Sequence, residues 1–163
     1  MLKNLSATRK GIITGVLMIC LSLLFFYSKQ AVDSPFQYVI YVAYTFGIVW
    51  TLFDFARNGD HSNKFGEYFS QGFKCFIVVT LLMVVFTIVF NKMHPEFKDQ
   101  AADAYRKELA EKGNKTLPEI EIAVKQAKDF YLVMLVSVAI FAYLIIGAVV
   151  TLVTTIMLRS RKQ

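Results

Sequence analysis

Tyr38, Tyr41, Tyr44, His61, His94, Cys20 and Cys75 are the side chains whose types could do chemistry in this sequence. The tyrosines recur every three residues, so on a helix they lie roughly on one face, where their phenols could line a path or hold a lipid headgroup. The commoner outcome of that pattern is an aromatic belt continuing into helix packing. The histidines sit in separate polar stretches, and neither has a second His or a Cys at ligand spacing, so no metal site is expected. The cysteines fall within two different apolar runs and form no C-x-x-C, which predicts neither a redox pair nor a disulfide. No nucleophile motif, phosphate loop or dinucleotide glycine pattern occurs. No catalytic residue and no cofactor is expected, and the chain reads as a non-enzyme.

The elements that must position these residues are apolar. Of the 163 residues 56% are hydrophobic and only 18% charged, far from the profile of a soluble domain. Four uncharged runs stand out, at 11–27, 34–53, 75–91 and 130–158. Each is long enough, or nearly so, to cross a hydrocarbon core of about 30 Å at ~1.5 Å per residue. The third is β-branched along most of its length; water would disfavour it as a helix, but lipid forces each backbone group to pair within its own segment. The expected fold is all-α: an integral membrane protein of four transmembrane helices, spanning about 11–28, 34–53, 73–91 and 130–158 of a single 163-residue domain. No Asp, Glu, Lys, Arg or His lies inside any of the runs, which argues against a proton relay or a buried counter-ion. Gly11 and Gly15 make a small-xxx-small pair, and Gly147-Ala148 a crossing point.

Two connecting stretches carry patterns of their own. In residues 64–76 (KFGEYFSQGFKCF), Phe65, Tyr68, Phe69, Phe73 and Phe76 share one helical face, which predicts an interfacial helix turning into the third span. Phe65, Tyr68, Phe69 and Phe73 are the candidate partner-docking residues; Tyr38, Tyr41 and Tyr44 are the candidate lipid- or path-lining residues. After the helix-breaking Met93-His94-Pro95, residues 96–129 hold eight acids and seven bases. They predict two amphipathic helices. The first carries a stripe of Phe97, Ala101, Tyr105 and Leu109 and stops at Gly113-Asn114. The second opens on a Thr116/Glu119 capping box, carries Ile120, Val124, Ala127 and Tyr131, and runs straight into the fourth span. Glu108–Lys112 and Glu121–Lys125 are expected i, i+4 pairs. Residues 92–129 thus form a helical hairpin between helices 3 and 4.

The net charge of +6 comes from the flanks, Lys3, Arg9 and Lys10 before the first span and Arg159, Arg161 and Lys162 after the last. It reads as a topology signal with both termini cytoplasmic and the hairpin extracytoplasmic, and as a contact with anionic lipids. A nucleic-acid partner would require a basic face with stacking aromatics, and none is present.

The F-G-E-Y-F-x-x-G-F-K lead-in (Phe65 to Lys74), the H-P-E-F that follows the third span (His94 to Phe97), and a charged hairpin before a basic-ended last span resemble domain-of-unknown-function family 4199. The resemblance implies a small multi-pass protein of the bacterial inner membrane with no established activity. It also implies neighbourhood with a polyprenyl-phosphate glycosyltransferase, and hence a link to envelope glycan assembly. The leading expectation is a non-enzymatic membrane subunit or scaffold whose partners are membrane lipids and such a membrane protein. The alternative is a lipid-binding protein or transporter working as a homo-oligomer.

Overall fold

A computed structural model of the chain describes residues 6–28, 37–57 and 64–160. The first residues of the 34–53 run, His61, and Lys3, Arg161 and Lys162 of the basic flanks lie outside them. All the described elements are helical: α1 (Ala7–Tyr27), α2 (Gln37–Arg57), α3 (Phe65–Met93), α4 (Glu96–Lys112) and α5 (Leu117–Ser160). α1, α2, α3 and α5 are each long and apolar enough to cross a membrane. The helices run past the apolar runs at several ends. α1 starts at its Ser6 cap, whose hydroxyl accepts from the Arg9 N–H, so Arg9 and Lys10, which precede the first apolar run, are already helical. α3 takes in the whole aromatic lead-in as one unbroken helix of 29 residues.

The chain packs as two compact units. Unit 1 comprises Met1–Met83 and Ile140–Gln163, and unit 2 comprises Val84–Ala139. In unit 1 small residues set the helix approach. A Cβ at Gly11 would lie 2.7 Å from the Cys75 carbonyl, and one at Gly15 would lie 2.7 Å from Leu82, so the glycine pair of α1 is a seam against α3. Gly47 of α2 fits against Thr14, Gly72 of α3 against Thr151, and Gly147 of α5 against Phe76 and the Tyr44 hydroxyl. Cys20 is exposed and Cys75 buried, and both are free.

Unit 2 holds the hairpin. Gly113 ends α4 at φ 61, with its N–H on the Ala110 carbonyl, a left-handed cap that L side chains resist. At the start of α5 the Glu119 carboxylate accepts from the Thr116 N–H at 2.7 Å and from its hydroxyl at 2.8 Å. Between the helices Ala102, Leu109, Ile120 and Val124 form a small core flanked by Tyr105 and Ala123. The first stripe is therefore corrected by one residue: Ala102 is buried and Ala101 exposed, because the face turned to α5 follows the 3.6-residue period and drifts off a strict four-residue step. Glu108 and Lys112 pair at 2.5 Å as expected. Glu121 instead crosses the hairpin to Arg106 with two contacts, at 2.9 and 3.0 Å, since a guanidinium fork satisfies both carboxylate oxygens where a lysine one turn away offers a single point charge. Asp99 and Lys128 add a second cross-hairpin pair. At the other corner the Phe90, His94 and Phe97 rings cluster, and His94 Nδ1 lies 2.8 Å from Glu96. Tyr131 donates to the Asn91 side chain at 3.3 Å, tying α5 to the last turn of α3.

Acid should loosen this hairpin. The backbone N–H and hydroxyl of Thr116 hold the Glu119 carboxyl below its ordinary value, and Glu96 is held down by its own backbone N–H and by His94. Groups depressed in the folded state contribute stability above their unfolded pKa and lose it as pH falls through the folded value. Cleavage by an acid-active protease between α4 and α5 should therefore rise as the pH drops below about 4, and Glu119→Gln should flatten that rise.

Candidate functional site

The interior of unit 1 sets polar side chains among apolar ones such as Met18, Ile48, Leu52, Phe76, Val79 and Met83. Lys10, Thr14, Thr51, Thr80, Thr151, Thr154 and Thr155 are buried there with Tyr44, Tyr68, Cys75 and Tyr143. The large aliphatic side chains Ile12, Val16, Leu17, Val42, Val149 and Ile156 face outward. Lipid makes that arrangement stable, because tails outside are as apolar as any core and buried hydroxyls can bond to helix carbonyls.

The pairing of Lys10 with Asp54 organises one end of this interior. Lys10 lies in the first turn of α1 and is 2% exposed. Its ammonium meets the Asp54 carboxylate, in the last turn of α2, and stands 5.7 Å from the Trp50 ring centroid. The expectation of no buried counter-ion is thereby corrected. Both charges flank apolar runs in sequence, but α1 and α2 pack antiparallel with these two ends together, so the pair closes inside the bundle. Above it the Thr51 hydroxyl donates to the Gly47 carbonyl at 2.8 Å and lies 3.3 Å from Cys75 Sγ. Thr80 donates to the Phe76 carbonyl at 2.8 Å. Tyr44, fully buried, donates to the Tyr143 carbonyl at 2.8 Å, and the two rings meet edge-on at 5.4 Å.

The three tyrosines of α2 do not share one surface. Tyr38 and Tyr41, with Val42, Thr45, Phe46 and Val49, line an open hollow of about 410 Å³ on the outward face of α2. Tyr38 is 72% exposed, whereas Tyr41 leans on the Tyr143 ring at 6.1 Å. Tyr44 turns inward. The docking stripe divides likewise. Phe65, Phe69 and Phe73 stack in sequence at 5.9 and 6.2 Å, forming a partly exposed ladder that ends edge-on at buried Phe76. Tyr68 points inside the unit, fully buried, with its ring edge-on to Phe55 at 5.2 Å. In the sequence Lys10 reads as a flanking charge and Asp54 as the end of the second run, with no pairing between them, and Thr51, Thr151 and Thr155 read as hydroxyls bonded within the bundle. The available signal was the Arg9-Lys10 pair and the single Asp54, each abutting an apolar run.

Among the described residues no three His, Cys, Asp or Glu side chains group as metal ligands. What the site offers is a buried charge pair and a set of hydroxyls. It holds helices together and can hydrogen-bond a small polar molecule.

Removing one member of the pair should cost more than removing both. Lys10→Met takes the ammonium from the part-buried Asp54 carboxylate and should lower stability in detergent by about 3 kcal/mol. Lys10→Met with Asp54→Leu should recover most of that loss, as read by thermal unfolding of the purified protein.

A family model described as a protein of unknown function (DUF4199) matches residues 9–160. No curated protein and no solved structure matches the chain. The match covers all four apolar helices and the hairpin, and the chain belongs to this family.

Proposed function

We propose, for this member of DUF4199, that it is a non-enzymatic subunit or scaffold of a membrane complex. The observation that carries the reading is the Phe65–Phe69–Phe73 ladder, a stacked aromatic edge at the start of α3 that remains partly exposed while Tyr68 beside it is packed away. Aromatic rings pre-ordered by stacking lose little entropy on docking and are favoured anchors of interfaces. The Lys10–Asp54 pair supports the same reading, because a charge pair locking the first two helices favours a rigid body over an alternating one. The expected partner is another integral membrane protein, such as a polyprenyl-phosphate glycosyltransferase, which would place the complex in envelope glycan assembly in the bacterial inner membrane.

The hollow on α2 favours a second reading, a lipid-binding protein or transporter acting as a homo-oligomer. Tyr38, Tyr41 and Thr45 supply hydroxyls there at an otherwise apolar surface, which suits a lipid headgroup.

A mild-detergent pull-down of the tagged protein from its native membrane separates the two. A stoichiometric membrane partner whose recovery falls at least about tenfold with Phe65→Ala, Phe69→Ala and Phe73→Ala combined, the protein remaining inserted, supports the subunit reading. Recovery unaffected by the triple replacement counts against it, and a lone oligomer carrying bound lipid transfers the weight to the second.

The proposed topology has both termini in the cytoplasm and the 92–129 hairpin outside; Arg9, Arg159 and the basic residues at the two ends of the chain support it. A cysteine introduced by Asn114→Cys, in a Cys20→Ser background, should react with a membrane-impermeant maleimide from the outer face of the inner membrane in spheroplasts. Labelling only after the membrane is opened would reverse the orientation.

A further inference from the structure

Three fully buried side-chain oxygens of unit 1, on Tyr68, Thr151 and Thr155, have no hydrogen-bond partner. Buried Thr51 and Thr80 bond back to a carbonyl one turn earlier on their own helix, the default for threonine in a lipid-embedded bundle. Thr151 and Thr155 forgo it. Their positions make the exception coherent. On the α3–α5 seam Phe76 meets Gly147 and Gly72 meets Thr151, each step of four residues forward on one helix matching four back on the other. The next rung in that antiparallel register sets Tyr68 against Thr155. The three orphaned hydroxyls therefore occupy two consecutive rungs of one seam. The Phe55 ring, which packs on Tyr68, follows Asp54 in α2, so the seam lies at the level of the Lys10–Asp54 pair.

We propose that this seam is a binding site for ordered water, held between Tyr68 and Thr155 and capped by Thr151. Hydroxyls that can both donate and accept are suited to a molecule that does the same, and a buried water needs two or more polar partners of this kind. Bound water here satisfies the hydroxyls. It makes one end of the bundle wet while the Tyr44–Tyr143 contact, whose hydroxyl is already bonded, stays dry.

Hydroxyl-radical footprinting of the unmodified protein in lipid nanodiscs tests the site, because radicals generated from bound water mark the side chains that touch it. Tyr68 and Tyr44 are both fully buried, so accessibility alone predicts equal, slow oxidation. Water in the seam predicts oxidation of Tyr68 roughly tenfold faster than of Tyr44. Thr155→Val, which keeps the shape and removes the hydroxyl, should bring Tyr68 down towards the Tyr44 rate with the fold intact by gel filtration. Equal rates in the unmodified protein, or a Tyr68 rate indifferent to Thr155→Val, would overturn the proposal.

Discussion

An ammonium buried to 2% exposure among apolar helices persists only against an opposite charge, and the rest of unit 1 is arranged around meeting that condition at Lys10. The carboxylate comes from Asp54, which brings the last turn of α2 to the first turn of α1, and Trp50 one turn earlier covers the ammonium with its ring. Desolvating both charges is costly, so the pair specifies which helix ends meet more than it adds net stability. Close approach makes the meeting feasible. Gly47 against Thr14 and Gly11 against the Cys75 carbonyl let three helices converge where a Cβ would separate them.

The polar share of the interior follows from the solvent. In water, a bundle buries Leu and Ile and turns threonine outward; in lipid there is no comparable drive, and packing and hydrogen bonds decide. Thr51 and Thr80 spend their hydroxyls on their own helices, Tyr44 reaches a neighbouring helix, and Tyr68, Thr151 and Thr155 remain for a bound molecule. Unit 2 obeys the aqueous rule instead. Its small core of Ala102, Leu109, Ile120 and Val124 lies beneath charged pairs that cross the hairpin, as in a soluble helix pair. One chain thus uses two packing regimes, and α5 takes part in both: its 44 residues extend about 66 Å, roughly twice a hydrocarbon core.

The aromatic lead-in shows how a periodic stripe can be read correctly as a helix and still divide in function. Phe65, Phe69 and Phe73 sit four residues apart and stack along one edge, whereas Tyr68 falls one residue earlier, about 100° round the helix, and turns to the interior. The tyrosines of α2 separate for the same reason. A three-residue step loses about 60° per turn against the helical period, enough to carry Tyr44 from the outer hollow that holds Tyr38 and Tyr41 into the bundle.

The sequence by itself determined the helices, the all-α membrane fold and the hairpin stops, because these follow from local properties: run length against bilayer thickness, the Thr116–Glu119 cap, and the left-handed turn that Gly113 permits. Only the tertiary structure decided that Lys10 is a buried partner of Asp54 and not a surface topology charge, that the Gly11/Gly15 seam faces α3, and that Glu121 chooses Arg106 over Lys125. Each of these brings together residues 15 or more positions apart, through the register in which whole helices pack. No single segment encodes that register, since it is set jointly by where every small residue allows approach and every buried charge or hydroxyl finds its partner.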